Sequence, residues 1–138
     1  LDIAKYLIEN GAEVNQVDKS GNSIFLLACK ENNLEFLKYL VDHGAKINIS
    51  NNLRNNGLII ACENNNIEII KYLIDLGIDV NHQNKKGHTG LTIACEQNNI
   101  EIIKYLLNHG SNINLNNEKS KSKISALNIA RKNNNIEV

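Results

Sequence analysis

The 138-residue chain contains no proline, tryptophan or methionine, has only four Tyr and two Phe, and balances 15 basic against 15 acidic side chains. A formal net charge of zero implies no strongly charged partner, and nucleic-acid binding would need a larger basic stripe than any present. Apolar runs fall far short of the roughly 20 residues that cross a bilayer, and no charged-then-apolar leader opens the chain. No membrane partner is expected, and whatever targets the parent protein is left to residues outside this stretch. With no Met to begin it, the stretch is expected to be a piece of a longer protein. Catalytic signals are missing as well. There is no nucleophile–base arrangement, no phosphate-cradling glycine loop and no convergent carboxylate pair, so no catalysis, no small-molecule substrate and no cofactor is expected.

What is present is repetition. The segments ACKENNLEFLKYLVDHG (28–44), ACENNNIEIIKYLIDLG (61–77) and ACEQNNIEIIKYLLNHG (94–110) are copies of one phrase, spaced 61 − 28 = 33 and 94 − 61 = 33 residues apart. A fixed period of this length signals stacked structural units. The chain opens with the tail of a further copy, LDIAKYLIENGAEVN, and closes with the head of another, ALNIARKNNNIEV. In that last copy Ala130 follows Ala94 by 36, a three-residue insertion. The expected organisation is one array, with a partial repeat over 1–17, full repeats over 18–50, 51–83 and 84–116, and a partial repeat over 117–138. Hydrophobic content of 42% with 22% charged residues is globular composition and argues against a disordered chain.

Each unit reads as two short helices. From Gly57 to Asn64 the run is apolar at Leu58, Ile59, Ile60, Ala61 and Cys62, which predicts a helix buried on most sides. A second helix is expected from about Ile67 to Leu76, with Ile67, Ile70, Leu73 and Ile74 on one face and Glu68, Lys71 and Asp75 on the other. Ser23, Asn56, Thr89 and Ser125 stand where first helices begin and can accept hydrogen bonds from free N–H groups. Gly11, Gly44, Gly77 and Gly110 stand where second helices end and the backbone needs positive φ.

The Asn tracts between the helices admit two readings, an aggregation-prone polar segment or a tight turn. Their unbroken register favours the turn. Asn65 is expected to adopt the left-handed region and Asn66 to cap the next helix, with Glu68 favourably placed at its positive end. Asn32-Asn33, Asn98-Asn99 and Asn134-Asn135 repeat the device.

Units of 33 residues ending in GAEVN, GAKIN, GIDVN and GSNIN, followed by DKSGNS (18–23) or NKKGHT (84–89), resemble the ankyrin repeat over the whole chain. The resemblance implies an all-α solenoid of helix–turn–helix units with β-hairpin-like fingers. It also implies that Asn15, Asn48, Asn81 and Asn114 bond neighbouring backbone, and that the concave side of fingers and first helices binds a protein partner. The Thr-Pro-Leu-His motif that usually begins the first helix reads SIFL, NGLI, TGLT and SALN here. The usual finger glycine, kept as Gly21 and Gly87, is replaced by Arg54 and Lys123, so those two fingers are expected to be distorted.

Positions not fixed by folding are the candidates for recognition: Lys19, Ser20, Asn22, Asn52, Leu53, Asn55, Lys85, Lys86 and His88 on the fingers, with Lys30, Glu31, Glu63, Asn64, Glu96 and Gln97 at the first-helix ends. Leu53 stands out as a large apolar side chain on a finger tip. The alternative is a structural spacer or targeting arm of a larger protein whose effector or catalytic domain lies elsewhere. Cys29, Cys62 and Cys95 recur in phase, but packed helices lie about 8–10 Å apart, beyond disulfide reach, and no close C-x-x-C pair offers a metal site. Buried free thiols suit a reducing, cytoplasmic setting, and a monomer is expected. His43 and His109 precede helix-ending glycines, where a cation favours the dipole. His82 and His88 share one finger and could meet a partner. Lys38, Lys71 and Lys104 form a ladder that reads as a solvated stripe. The basic run EKSKSK (118–123) reads as a solvated finger. Leu1, Ile3, Leu7 and Ile136 would face water at the ends of the array, so further repeats or caps are expected on both sides.

Overall fold

Ser23, Asn56 and Thr89 each begin a helix by accepting a backbone N–H three residues on, from Leu26, Ile59 and Thr92 at 3.2, 3.0 and 3.3 Å. A computed structural model describes residues 2–114 and 126–133 and contains, among them, eight helices. They are α1 (Asp2–Glu9), α2 (Ile24–Lys30), α3 (Leu34–Asp42), α4 (Gly57–Glu63), α5 (Ile67–Asp75), α6 (Gly90–Glu96), α7 (Ile100–Asn108) and α8 (Ala126–Lys132). Ser125, Lys123, the EKSKSK run, Leu1 and the Asn134–Glu137 copy lie outside the described residues.

The helices pair as α2–α3, α4–α5 and α6–α7, and the first members pack on one another in the order α2, α4, α6, α8. The apolar spacing explains this. Phe25, Leu26, Leu58, Ile59, Leu91 and Ile93 are buried along the inner column, while Leu37, Leu40, Ile69, Ile70, Leu73, Ile102 and Leu106 close the core from the second helices. No single pair can bury its apolar face, so each unit borrows its cover from the next.

Gly57 and Gly90 open α4 and α6 where each helix lies close against the first helix of the preceding unit. A Cβ on Gly57 would stand 3.0 Å from the Sγ of Cys29, and one on Gly90 would stand 3.1 Å from the Sγ of Cys62. The in-phase cysteines therefore fill the space that the next unit's glycine leaves. All three thiols are free and buried. Burial pushes the Cys29 thiol up to about 12 and the Cys62 thiol higher still, and burial with the Glu96 charge raises Cys95. These are packing groups that stay protonated at neutral pH.

At the helix–helix junctions the structure separates two roles that the sequence had joined. Asn65 and Asn98 do take up positive φ, at 55° and 58°. Asn33 and Asn99 do cap, accepting from Phe36 and Ile102. Asn66, however, makes no side-chain cap to α5. Its amide instead donates to the carbonyls of Cys29 and Lys30 in the preceding unit, both at 3.2 Å. The first copy also turns differently, leaving α2 through an extended Glu31 rather than through a left-handed Asn32.

The finger carrying Arg54 corrects a further expectation, because it is not distorted. Arg54 itself adopts φ 59°, beside 79° for Gly21 and 83° for Gly87. All three close the same turn, with N–H donation to the carbonyls of Asn51, Asp18 and Asn84 at 2.9–3.0 Å. A non-glycine residue held there costs about 1 kcal/mol. Arg54→Gly is therefore expected to raise the unfolding free energy by about 0.5–1 kcal/mol, measurable as a higher urea midpoint with an unchanged slope.

Candidate functional site

Three fingers stand side by side because each repeats one polar clasp. Asp18, Asn51 and Asn84 accept two N–H bonds apiece within their own turns: from Ser20 and Asn22, from Leu53 and Asn55, and from Lys86 and His88. The spare amide hydrogens of Asn51 and Asn84 then reach back to the carbonyl oxygens of the Asn22 and Asn55 side chains, at 3.0 and 2.9 Å. Backbone bonds from Asn52 to Ser20 and from Lys85 to Leu53 tie the tips together. Isolated antiparallel bridges Val17–Ser23 and Ser50–Asn56 complete the hairpin character of the first two fingers.

This lattice sorts the sequence-derived candidates. Asn55 is buried and Asn22 half-buried, and both side chains serve the finger-to-finger bonds. Asn52 is exposed, but its amide holds the carbonyl of Lys19. Asn64 turns back to the carbonyl of Ile60 within its own unit. Gln97 donates to the carbonyl of Glu63 at 2.8 Å, so it too joins neighbours. Lys19, Ser20, Lys30 and Glu31 are exposed around the first full unit.

The structure brings another group of candidates together. Leu53, Glu63, Lys85, Lys86, His88, Glu96 and Gln97 line one cleft of about 280 Å³ between the second and third fingers and the ends of α4 and α6, with Asn55, Asn84 and Ile93 behind them. Leu53 is 60% exposed at its rim. His88 is half-buried, with Nδ1 3.3 Å from the Thr92 hydroxyl and Nε2 3.5 Å from a Glu96 carboxylate oxygen. Burial, reinforced by the Glu96 charge and opposed by His88 and Lys86, holds the Glu63 carboxyl above its ordinary range. The cleft thus has an apolar lip, a basic finger side and an acidic helix side.

Two features of the outer surface escaped sequence reasoning. Two lysines of the ladder are not merely solvated: Lys38 and Lys71, and Lys5 one period ahead of them, place their ammonium groups 5.6, 5.6 and 5.1 Å from the ring centroids of Tyr72, Tyr105 and Tyr39, each in the next unit. The Lys-Tyr dipeptide recurring with the period was the available signal, since one period brings a Lys beneath the following Tyr. His43 and His109 stack on Tyr39 and Tyr105 with 4.0 Å between centroids and bond those residues' carbonyls. His82 is similarly engaged, with Nε2 2.8 Å from the carbonyl of Arg54 in the preceding finger. Asn15 and Asn81 hold the next loop as the resemblance implied, each donating to a glycine carbonyl (Gly44, Gly110) and accepting an N–H (Lys46, Asn112). Asn48 does not share this pair. Instead Asn56 donates to the carbonyl of Asp79 at 3.4 Å.

Among the described residues no helix is long and apolar enough to cross a membrane. Compared with known families, the chain matches the model described as ankyrin repeats (three copies) over residues 1–84 and again over 58–138. No curated protein matches it.

Proposed function

Because the chain belongs to the ankyrin-repeat family, whose members are generally protein–protein interaction modules, we propose that it is a recognition module without catalysis of its own. It holds a protein partner against the fingers and first-helix ends. The observation that carries this reading is Leu53. Folding does not need a leucine there, since Ser20 and Lys86 fill the same place in the neighbouring fingers. The side chain stands exposed beside a cleft lined with charge. Burying a leucine side chain fully against a partner contributes about 1.5–3 kcal/mol. Lys19, Ser20, Lys30 and Glu31 extend the surface along the array. Asn22, Asn52, Asn55, Asn64 and Gln97 keep it rigid.

The test compares partner capture by the chain and by Leu53→Asp. A partner bound at the middle units is expected to lose at least tenfold in affinity, about 1.4 kcal/mol, with the helical circular dichroism unchanged. Equal affinity would remove Leu53 from the surface. A spacer role predicts that no protein is retained specifically by either form.

A further inference from the structure

The last residue of each first helix is Lys30 in α2, Glu63 in α4, Glu96 in α6 and Lys132 in α8. The C-terminal end of a helix carries partial negative charge, so a cation stabilises it and a carboxylate does not. The flanking copies follow this rule and the two central copies reverse it. Within the described residues Glu63 has no ion-pair partner within 4 Å, and the contact of Glu96 is with His88. Two like charges therefore occupy adjacent rungs at the negative ends of their helices, where the helix dipole favours neither. Both line the cleft that Leu53 shares, and the partial desolvation and neighbouring Glu96 charge that make Glu63 costly to ionise favour a cation brought by a partner.

We propose that this cleft takes an extended peptide segment carrying an apolar side chain against Leu53 and Ile93 and, within a few residues of it, a lysine or arginine between Glu63 and Glu96. The occupant follows from charge complementarity. The helix side presents two carboxylates with only His88 in contact with them, whereas Lys85 and Lys86 on the finger side turn a second basic group away and accept an acidic one. The proposal rests on the recognition reading above and adds to it the chemistry of the partner.

The experiment uses random peptides displayed on phage, selected on the 138-residue chain, with the recovered sequences then synthesised. Lysine or arginine is expected two to four positions from a leucine, isoleucine or phenylalanine. Replacing that cation with norleucine, or making the Glu63→Gln and Glu96→Gln double variant, is expected to weaken binding at least tenfold, while the variant's thermal midpoint stays level or rises. A fall in midpoint would show that the glutamates serve the fold. Peptides that bind through Leu53 with no basic enrichment, or that bind the double variant equally well, would overturn the cation site and leave the recognition surface standing. Recovery of no peptide, or of peptides indifferent to Leu53→Asp, would overturn the surface itself.

Discussion

Leu73→Ala is expected to lower the unfolding free energy by about 2–5 kcal/mol and the thermal midpoint by about 10 °C. The side chain is 0% exposed and stands on α5 among Ile69 and Ile70. Three carbons leave a cavity that this core cannot collapse into. The units above and below are held at a fixed spacing by the finger clasps of Asn51 and Asn84 and by the close approach of Gly57 and Gly90 to the cysteines. In a stack where stability is close to a sum of unit and interface contributions, a defect in a central unit damages two interfaces at once. Urea denaturation should show a lower midpoint. A loss under 1 kcal/mol would mean that the stack relaxes around the hole, contrary to the packing described.

Asn66 provides the second large effect and separates two roles for the same residue. If Asn66 acted as a helix cap, Asp would replace it at little cost, because Asn and Asp cap about equally well. In the structure Asn66 is a buried donor to the carbonyls of Cys29 and Lys30. Alanine leaves those helix-end carbonyls unmet, at a cost of about 2 kcal/mol. Aspartate removes the donors and also aims a charge at two oxygens, costing about 3 kcal/mol or more. The true cap Asn33 is the control, since Asn33→Asp is expected to stay within about 0.5 kcal/mol of the parent. Chemical denaturation of the three variants measures the order. An Asn66→Asp protein as stable as the parent would restore the capping role.

The cleft adds a pH dependence to these comparisons. A carboxyl whose folded pKa lies above its unfolded value contributes stability below the ordinary carboxylate range and loses it as the pH rises through the folded value. Glu63 is such a group. Glu63→Gln is thus expected to raise the thermal midpoint slightly at pH 7, and this advantage should vanish near pH 4, where the parent carboxyl is itself neutral.

The Asn-rich junctions show how much of the fold is decided locally. That Asn65 turns and that Ser23, Asn56 and Thr89 cap are events within three residues of chain, decided by local sterics and by the reach of a short side chain. Such events follow from residue type and register. The same holds for the helix pairs, because apolar spacing dictates which face must be buried. Arg54 marks the limit of that reasoning. Judged by its own preference it should have bent the finger, but the neighbouring fingers hold it in the left-handed region through the bonds of Asn51, Asn84 and Lys85.

For the candidate surface the division is sharper. The apolar tip of Leu53 and the charges of Glu63 and Glu96 stand out in the sequence as side chains that no cap or turn of the repeat calls for. That Asn22, Asn52 and Asn55 are engaged in holding the fingers together does not, since an amide looks equally polar whether it faces solvent or a neighbour 29 to 33 residues away. The residue pattern specifies the unit, its period and its helix pairs, because these follow from spacing and apolar faces within one repeat. Stacking settles which asparagines staple one unit to the next, which lysines lie over a tyrosine ring, and which charges share a cleft. Those pairings depend on the offset between stacked units, a quantity that no single repeat contains.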